Sequence, residues 1–477
     1  MKKKLYRFRS IDNLIGAFDE LNLQSIYFAS PEQLNDPMEG YRDIFWKGDL
    51  IVWENFFRHY IFCLERVVSL YNIAGEEGEI NNTHIPVFSG IEDLPTEEYK
   101  KLIHRIAKKF LELSSIKKLV AFLSENNTPI RREELYFYLS VVNIPAINLI
   151  YECYIEEKLT PETNNFNLDS NGLIEKVFSP GFYESVNDID SSVRDRFFIY
   201  QRSISEQVKI LNIHTNTIDS EKKNKNFIFL NFPQEYLEQI EKIMFPDWYT
   251  ACFMTECNNS SVWGHYGDNH KGCCLVFELE DDDFSFPLRG INGLNNNGYT
   301  YGVINHKLHQ IKYIKGYESI DFFKMLGNLR TPILNEMWLT NKSGQISESA
   351  NEINGKRDEW RKNYWDYFVR DITSKSDDWS YENEYRIVLQ SFISDFSDQK
   401  NRIQNYQFSS LKGIIFGIKT SIEDKLKIMK IIEKKCSENN TFDFKFYQSY
   451  YSFESGRIET YDLGLIRNSN KTLQNPD

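Results

Sequence analysis

The chain has 477 residues, of which 41% are hydrophobic and 15% aromatic, and its net charge of −13 gives a pI near 5.3. This length allows two or three domains. The acidic balance argues against a broad surface that binds nucleic-acid phosphates non-specifically, although a local basic groove remains compatible with it.

The sequence also predicts where the protein works. The basic start Met1-Lys2-Lys3-Lys4 is not followed by the apolar run of a signal peptide. No stretch approaches the 18 apolar residues of a transmembrane helix. Seven cysteines in apolar or mixed contexts suit free thiols in a reducing compartment. We therefore expect a cytoplasmic protein that does not bind a membrane.

The sequence predicts that residues 1–48 form the first part of an α+β core. Strands are expected at Tyr6–Phe8 and Ser25–Ala29, and Ser10 is expected to cap a helix over residues 11–22. The phrase Asn35-Asp36-Pro37-Met38-Glu39 predicts a turn. A helix start with Asp36 as its N-cap is a compatible interpretation of the same phrase.

Residues 49–245 predict a helical insertion or lid. Helices are expected wherever apolar residues recur at helical spacing: Ile51–Ile73, Thr96–Leu113, Arg131–Val142, Ala146–Lys158, Ser191–Ile213 and Pro233–Ile243. Polar connectors such as Thr160–Ser170 separate them, and no fixed period recurs that would indicate a repeat protein.

The sequence predicts that residues 246–465 form the second part of the core. It predicts a flexible tail for residues 466–477. Short β-branched or aromatic runs predict strands: Tyr249–Met254, Cys273–Glu278, Ile311–Ile314, Tyr385–Gln390, Gly413–Gly417 and Phe442–Tyr447. Helices are expected at Ser319–Leu326, Lys356–Ser374 and Ile422–Cys436, and surface loops at Gly290–Gly298 and Gly344–Gly355. The predicted fold class is α+β, a split mixed α/β core with a large helical insertion.

Arg7 and Arg9 are the first candidate binding residues. On a strand they share one face, because side chains alternate with a period of two. Two guanidinium groups on one face can grip a phosphate or a carboxylate. The alternative is an ordinary edge strand with arginines on its wet face. The turn at residues 35–39 can present Asn35, Asp36 and Glu39 to a ribose, a base or a metal.

The phrase Trp263 to Gly272 is the second candidate. Its His265, Tyr266, His270 and Lys271 can contact an anion or move a proton. The alternative is a structural helix-to-strand junction whose aromatic residues fill the core. Zinc is a further possibility here, but the cysteines and histidines lack the spacing of a zinc site, so we expect no metal.

The phrase Trp379 to Arg386 is the third candidate. Glu382 and Glu384 are two residues apart at a predicted strand entry, so their carboxylates face one side. Such a pair can hold a divalent metal, act as acid and base, or stabilise a cationic sugar. The alternative is a strand on which Glu384 pairs with Arg386. Tyr381 and its aromatic neighbours can wall a pocket.

Together the phrases resemble a bacterial family catalogued as a domain of unknown function. The matching residues are Leu5–Ser10, Asn35–Glu39, Trp263–Gly272, Trp379–Arg386 and Ile414-Ile415-Phe416-Gly417, and Met38 stands where the family usually has Phe. The resemblance leaves out the helical middle. Members often occur in phage-defence neighbourhoods, so the resemblance implies an antiviral or toxin role.

A weaker likeness concerns the mechanism. The order of an early Arg, a middle Thr and a late Glu-x-Glu resembles ADP-ribosyltransferases of the DNA-modifying toxin type, with Met254-Thr255-Glu256 in place of a Ser-Thr-Ser triplet. The likeness implies NAD as cofactor and a nucleic-acid or protein acceptor. It implies that Glu384 and Thr255 are catalytic and that Glu382 orients the acceptor. The residues implied or predicted to bind NAD are Arg7, Arg9, Asn35, Asp36, His265, Tyr266, His270 and Tyr381.

Two other classes of function stay open from the sequence. One is a magnesium-dependent nuclease, with Lys271 as an electrophile and with carboxylates from Asp36, Glu39, Glu382 and Glu384. The other is a non-catalytic sensor that binds a partner protein through its helical region. The leading hypothesis is a cytoplasmic effector with an ADP-ribosyltransferase-like site.

Overall fold

The computed structural model describes residues 3–126, 128–160, 174–175, 177–279, 284–391, 395–441 and 443–465. The chain divides into two compact units. Unit 1 comprises residues 1–41, 246–317 and 369–477, and unit 2 comprises residues 42–245 and 318–368. The predicted tail, 466–477, lies outside the described residues.

The predicted α+β fold class is confirmed. The described strands are β1 Lys3–Arg9, β2 Ser25–Tyr27, β3 Asp43–Trp46, β4 Ile130–Arg131, β5 Trp248–Met254, β6 Cys273–Leu279, β7 Ser285–Asn295, β8 Gly298–Lys307, β9 His309–Gln310, β10 Lys312–Ile314, β11 Ser319–Asp321, β12 Ser374–Ser376, β13 Glu384–Gln390, β14 Ile403–Tyr406, β15 Leu411–Phe416, β16 Lys445–Tyr451 and β17 Ile458–Asp462. Unit 1 contains an eight-stranded sheet in the order β17-β16-β15-β6-β1-β5-β13-β9 and the smaller sheets β2-β14-β7-β8 and β10-β12. Unit 2 contains the sheet β11-β3-β4.

Helices make up most of unit 2, as predicted for the middle of the chain. The described α-helices of the chain are Ile11–Ile15, Glu20–Leu23, Leu50–Ala74, Glu97–Glu112, Ser114–Glu125, Arg132–Glu156, Pro180–Asp188, Ser191–His214, Lys223–Asn226, Phe232–Ile240, Ser260–Tyr266, Thr331–Leu334, Glu348–Gly355, Arg357–Ile372 and Ile422–Asn439. Within the described part of the chain, no helix is long and apolar enough to cross a membrane.

Several predicted elements are wrong in type. The expected loop Gly290–Gly298 is largely strand, because β7 and β8 form a hairpin whose register continues to Asn295 opposite Gly298. Only the asparagines at 295–297 mark the tight turn, and Asn292 lies within β7. The expected helix Ser319–Leu326 is strand β11 followed by a 3-10 turn. The expected loop at 344–355 ends in the helix Glu348–Gly355, capped by the Ser347 side chain.

Other predictions fail at their boundaries. The predicted helix over residues 11–22 is two short helices, because the first ends at Gly16 and Asp19 adopts a left-handed φ of 46°. The predicted cap is confirmed, since the Ser10 hydroxyl accepts a hydrogen bond from Asn13 N at 3.2 Å. The two helices expected on either side of Pro145 are one helix, Arg132–Glu156, which contains that proline.

The central strand β1 has unequal partners. It pairs with antiparallel β6 along its whole length, from Lys3 opposite Leu279 to Arg9 opposite Cys273. With β5 it forms a single residue pair, Tyr6 opposite Met254. The two strands therefore separate towards the end of β1, and this separation positions the site described next.

Candidate functional site

A cavity of about 440 Å³ in unit 1 lies where β1 and β5 separate. Arg7, Phe8 and Arg9 line it from β1, and residues of β5 line the opposite side. Thr250 of β5 pairs with Ala29 instead of with β1. Ligand sites in proteins are typically clefts of about 300–1,000 Å³. This cavity is therefore large enough for a small organic ligand.

Arg7 is the most unusual residue of the cavity wall, because it is a buried cation without a described acidic partner. Its guanidinium donates to two backbone carbonyls, Cys252 O at 3.2 Å and Tyr27 O at 3.3 Å. Its buried Nε has no hydrogen-bond partner. Burial, and then the positive charge of Arg9, lower the pKa of Arg7 to about 10. A buried unpaired charge is unfavourable, so an anionic ligand would satisfy it.

Arg9 lies beside Arg7 on the cavity wall but has an acidic partner. Its Nε donates to Glu20 Oε2 at 2.7 Å, and its Nη2 donates to Glu20 Oε1. Ser10 and Asn13 line the cavity next to it. Both arginines of the predicted pair therefore border one cavity, and Arg7 is the one without an ion pair to a described residue, although the more distant charge of Glu20 acts to raise its pKa.

Aromatic side chains border another side of the cavity. The helix Ser260–Tyr266 supplies His265 and Tyr266 as lining residues, and the Asn259 side chain caps that helix. The exposed His265 ring lies 5.7 Å from the Trp379 ring and 6.4 Å from the Tyr381 ring. At this spacing the three rings contact one another, and of the aromatic side chains in this group His265 and Tyr266 are the ones that line the cavity.

A strained loop follows this helix. Asp268, Asn269 and His270 have left-handed φ angles of 47°, 51° and 69° in succession, a conformation that non-glycine residues rarely adopt. The loop then approaches the end of β1 closely, since a Cβ on Gly272 would lie 2.3 Å from the Arg9 carbonyl oxygen. Strained backbone of this kind is concentrated at functional sites.

Behind the cavity lies a cluster of five buried charges, which we call the ion cluster: Glu39, Lys375, Glu382, Glu384 and Arg386. Arg386 donates to both oxygens of Glu39 at 2.7 Å and to both oxygens of Glu384. Lys375 Nζ lies 3.2 Å from Glu39, 2.8 Å from Glu382 and 3.4 Å from Glu384. Glu39 and Lys375 also line the cavity, so the cluster reaches its surface.

The pKa values of the two glutamates in the Glu-x-Glu phrase are shifted in opposite directions. Burial, which outweighs the nearby Lys375, raises the pKa of Glu382 to about 7. Burial also acts on Glu384, but the charges of Arg386 and Lys375 outweigh it and lower the pKa of Glu384 to about 2. Tyr266 links Glu382 to the cavity, because its hydroxyl donates to Glu382 Oε1 at 2.8 Å.

The pH dependence of unit 1 should follow from Glu382. A raised carboxyl pKa stabilises the folded state below the unfolded pKa near 4.5, and this stabilisation is lost as the pH rises through 7. Wild type should therefore lose on the order of 1–3 kcal/mol relative to Glu382→Gln between pH 5 and pH 8. Urea unfolding of both proteins at both values checks this. If the difference in the free energy of unfolding between wild type and Glu382→Gln is the same at pH 5 and pH 8, Glu382 does not titrate in this range.

The structure brings together part of the predicted site. Arg7, Arg9, Asn35, His265 and Tyr266 line the cavity. The other predicted residues, Asp36, Thr255, His270, Tyr381, Glu382 and Glu384, are not among its lining residues. Their roles stay predictions.

Each of these residues has other contacts. The Thr255 hydroxyl donates to Asn383 O at 3.4 Å. Asp36 Oδ1 accepts from Met38 N in a turn, not at a helix start. Tyr381 OH lies 3.3 Å from His265 Nδ1. The His270 ring stacks on Trp263 at 6.5 Å.

Two residues of the site were missed from the sequence, Lys375 and Cys252. Lys375 lies between two serines in β12, a context without any motif. Cys252 lines the cavity, and Glu384 is one of the groups that raise the pKa of its thiol, after burial. Among the described residues, no group of three His, Cys, Asp or Glu is arranged to hold a metal ion. Three of the four carboxylates considered for magnesium, Glu39, Glu382 and Glu384, instead contact Lys375 or Arg386.

Comparison with known proteins gives one match. Residues 262–387 match the model of a family described as Protein of unknown function (DUF2971). The matched segment contains the phrases Trp263–Gly272 and Trp379–Arg386, and it excludes Leu5–Ser10, Asn35–Glu39 and residues 414–417. No curated protein and no solved structure matches the sequence.

Proposed function

We propose that unit 1 binds NAD as a substrate in the cavity and transfers its ADP-ribosyl group to an acceptor. The observation that carries this proposal is Arg7, a buried guanidinium with no described acidic partner on the wall of a ligand-sized cavity. Arginine binds phosphate in two-point contacts. Arg7 therefore suits the pyrophosphate of NAD, and the aromatic wall at His265 and Tyr266 suits one of its rings.

The chemistry would use the ion cluster. The bond between the ribose C1′ and the nicotinamide nitrogen breaks, and nicotinamide leaves with the electron pair. An acceptor oxygen or nitrogen forms the new bond to C1′ and loses a proton. Tyr266 can take up that proton while it passes its own to Glu382, whose pKa of about 7 suits a general base at neutral pH. Glu39 lines the cavity, so its carboxylate, oriented by Arg386, can contact the cationic sugar.

The proposal revises the roles expected for the two glutamates. Glu384 is held by Arg386 and Lys375 and stays ionised, so its role is to position Arg386 and, through it, Glu39. Glu382 carries the proton. The acceptor class, nucleic acid or protein, and an antiviral or toxin role in the cytoplasm rest on the sequence resemblance.

Tyr266→Phe is the variant that tests this proton route. It keeps the ring but removes the hydroxyl that joins Glu382 to the cavity, so we expect the rate of nicotinamide release from NAD to fall by about 10²–10⁴-fold with little change in KM. Tyr450→Phe is the matched control, because the Tyr450 hydroxyl donates to Glu459 at 2.8 Å on the surface. Wild-type protein that releases no nicotinamide, or equal rates in both variants, would refute the proposal.

A further inference from the structure

We propose that unit 2 contains a second binding site, for a small organic anion that joins one phosphate or carboxylate group to a ring-sized apolar body. A cavity of about 290 Å³ lies among helix Leu50–Ala74, residues 90–93, helix Glu97–Glu112 and residues 333–342. Every residue that lines it belongs to unit 2. The inference therefore does not depend on the function proposed for unit 1.

Arg58 is the first cation of this cavity. Its guanidinium donates to the Asn55 side-chain oxygen, and no described carboxylate lies within ion-pair distance of it. Asn55 is itself held in place, because its Nδ2 donates to Trp338 O at 2.9 Å and to Thr340 O at 3.1 Å. Arg58 is thus oriented by a neutral partner and keeps its charge for a ligand.

Lys342 is the second cation, and it has no recorded hydrogen bond or ion pair with a described residue. Burial, then the charges of Arg58 and Lys108, lower the pKa of Lys342. The groups that act on it electrostatically are therefore cations. Repulsion between neighbouring cations falls when an anion binds between them, so this end of the cavity favours a negatively charged group.

His104 adds a donor or acceptor at the same end. Its buried Nδ1 has no hydrogen-bond partner, and burial followed by Lys342 lowers its pKa. Acidic residues also line the cavity, but two of them have partners: Glu92 lies 3.3 Å from Lys100 and 3.7 Å from His104 Nε2, and Asp93 accepts from Gly90 N at 2.7 Å. The third, Glu336, is exposed to solvent.

The remaining wall is apolar. Phe62, Ile91, Ile333 and Met337 line it, and Asn55 and His59 join the same wall from the long helix. Burial lowers the pKa of His59 to about 4, so its ring is neutral at pH 7. The cavity thus has a cationic end and an apolar wall. Such a cavity fits an aryl phosphate or an aryl carboxylate better than it fits an inorganic ion.

Three probes distinguish the sources of the anionic group: phenyl phosphate, benzoate and inorganic phosphate. The full-length protein is titrated with each by calorimetry. We expect phenyl phosphate, benzoate or both to bind at least tenfold more tightly than inorganic phosphate, and the tighter of the two identifies the head group. If inorganic phosphate binds as tightly as the aryl probes, the ligand does not need an apolar body. If no probe binds, the proposed site does not exist.

Variants locate the binding in unit 2. Arg58→Met and Lys342→Met should each weaken the best probe at least tenfold, since each removes a charge-assisted contact. Lys342 is exposed, so its variant should fold normally even if Arg58→Met does not. Lys356→Met, an exposed lysine of the same unit, should leave probe binding unchanged. Unchanged binding in Lys342→Met would contradict the assignment.

Discussion

Arg386→Met is expected to lower the free energy of unfolding by about 3–5 kcal/mol. The arginine lies between two carboxylates and donates to both oxygens of each, Glu39 and Glu384. All three side chains are at most 2% exposed. Without the guanidinium, Glu39 and Glu384 would have to share Lys375 with Glu382, and an uncompensated buried charge is strongly destabilising. Urea unfolding followed by intrinsic fluorescence measures the change.

The control for this prediction is an exposed ion pair in the same unit. Lys445 and Asp462 are 3.3 Å apart with side chains 57% and 44% exposed, and such pairs contribute little. Lys445→Met should therefore change stability by less than about 1 kcal/mol. The loss of stability in Arg386→Lys should lie between the losses in Arg386→Met and Lys445→Met, because lysine keeps the charge but cannot make the two-point contacts. Equal effects of Arg386→Met and Lys445→Met would show that the ion cluster does not stabilise the fold.

Arg7→Met is expected to weaken stabilisation by NAD while leaving the unliganded protein as stable as wild type or more so. Wild type at an NAD concentration 100 times its Kd should gain roughly 2.7 kcal/mol, and the variant, with a Kd at least tenfold weaker, should gain at most about 1.4 kcal/mol at the same concentration. Removing Arg7 leaves no described carboxylate unpaired, because its partners are backbone carbonyls. Thermal unfolding with and without NAD measures both effects.

Lys271→Met is the matched control for Arg7→Met. It removes the same charge from unit 1, but Lys271 is exposed and does not line the cavity. NAD should stabilise this variant as it stabilises wild type. A loss of NAD binding in Lys271→Met but not in Arg7→Met would move the anion site from β1 to the loop after Tyr266.

Local features of unit 1 were predictable because they depend on neighbouring residues. The Ser10 cap needs only a hydroxyl before a helix, and the shared face of Arg7 and Arg9 needs only a strand. The turn at Asp36 follows from the proline after it. The hairpin of β7 and β8 was missed because its asparagines and glycines are typical of loops, whereas its pairing depends on backbone bonds between strands.

The arrangement of the site was not predictable, because it depends on contacts between distant parts of the chain. The Arg7 side chain reaches Cys252 O across 245 positions, and the cavity exists because β1 and β5 pair only at Tyr6 and Met254. Lys375 has no local pattern that marks it. The acidities of Glu382 and Glu384 differ because Arg386 contacts one and not the other, which their spacing alone does not reveal.

The most direct test of the central claim is calorimetric titration of wild-type protein and Arg7→Met with NAD, side by side. The claim is that Arg7 forms the anion-binding part of a nucleotide site between β1 and β5. It predicts one NAD bound per chain in wild type and at least a tenfold weaker Kd in the variant, since a charge-assisted contact to phosphate is removed. No heat of binding in wild type, or equal affinity in both proteins, would contradict it.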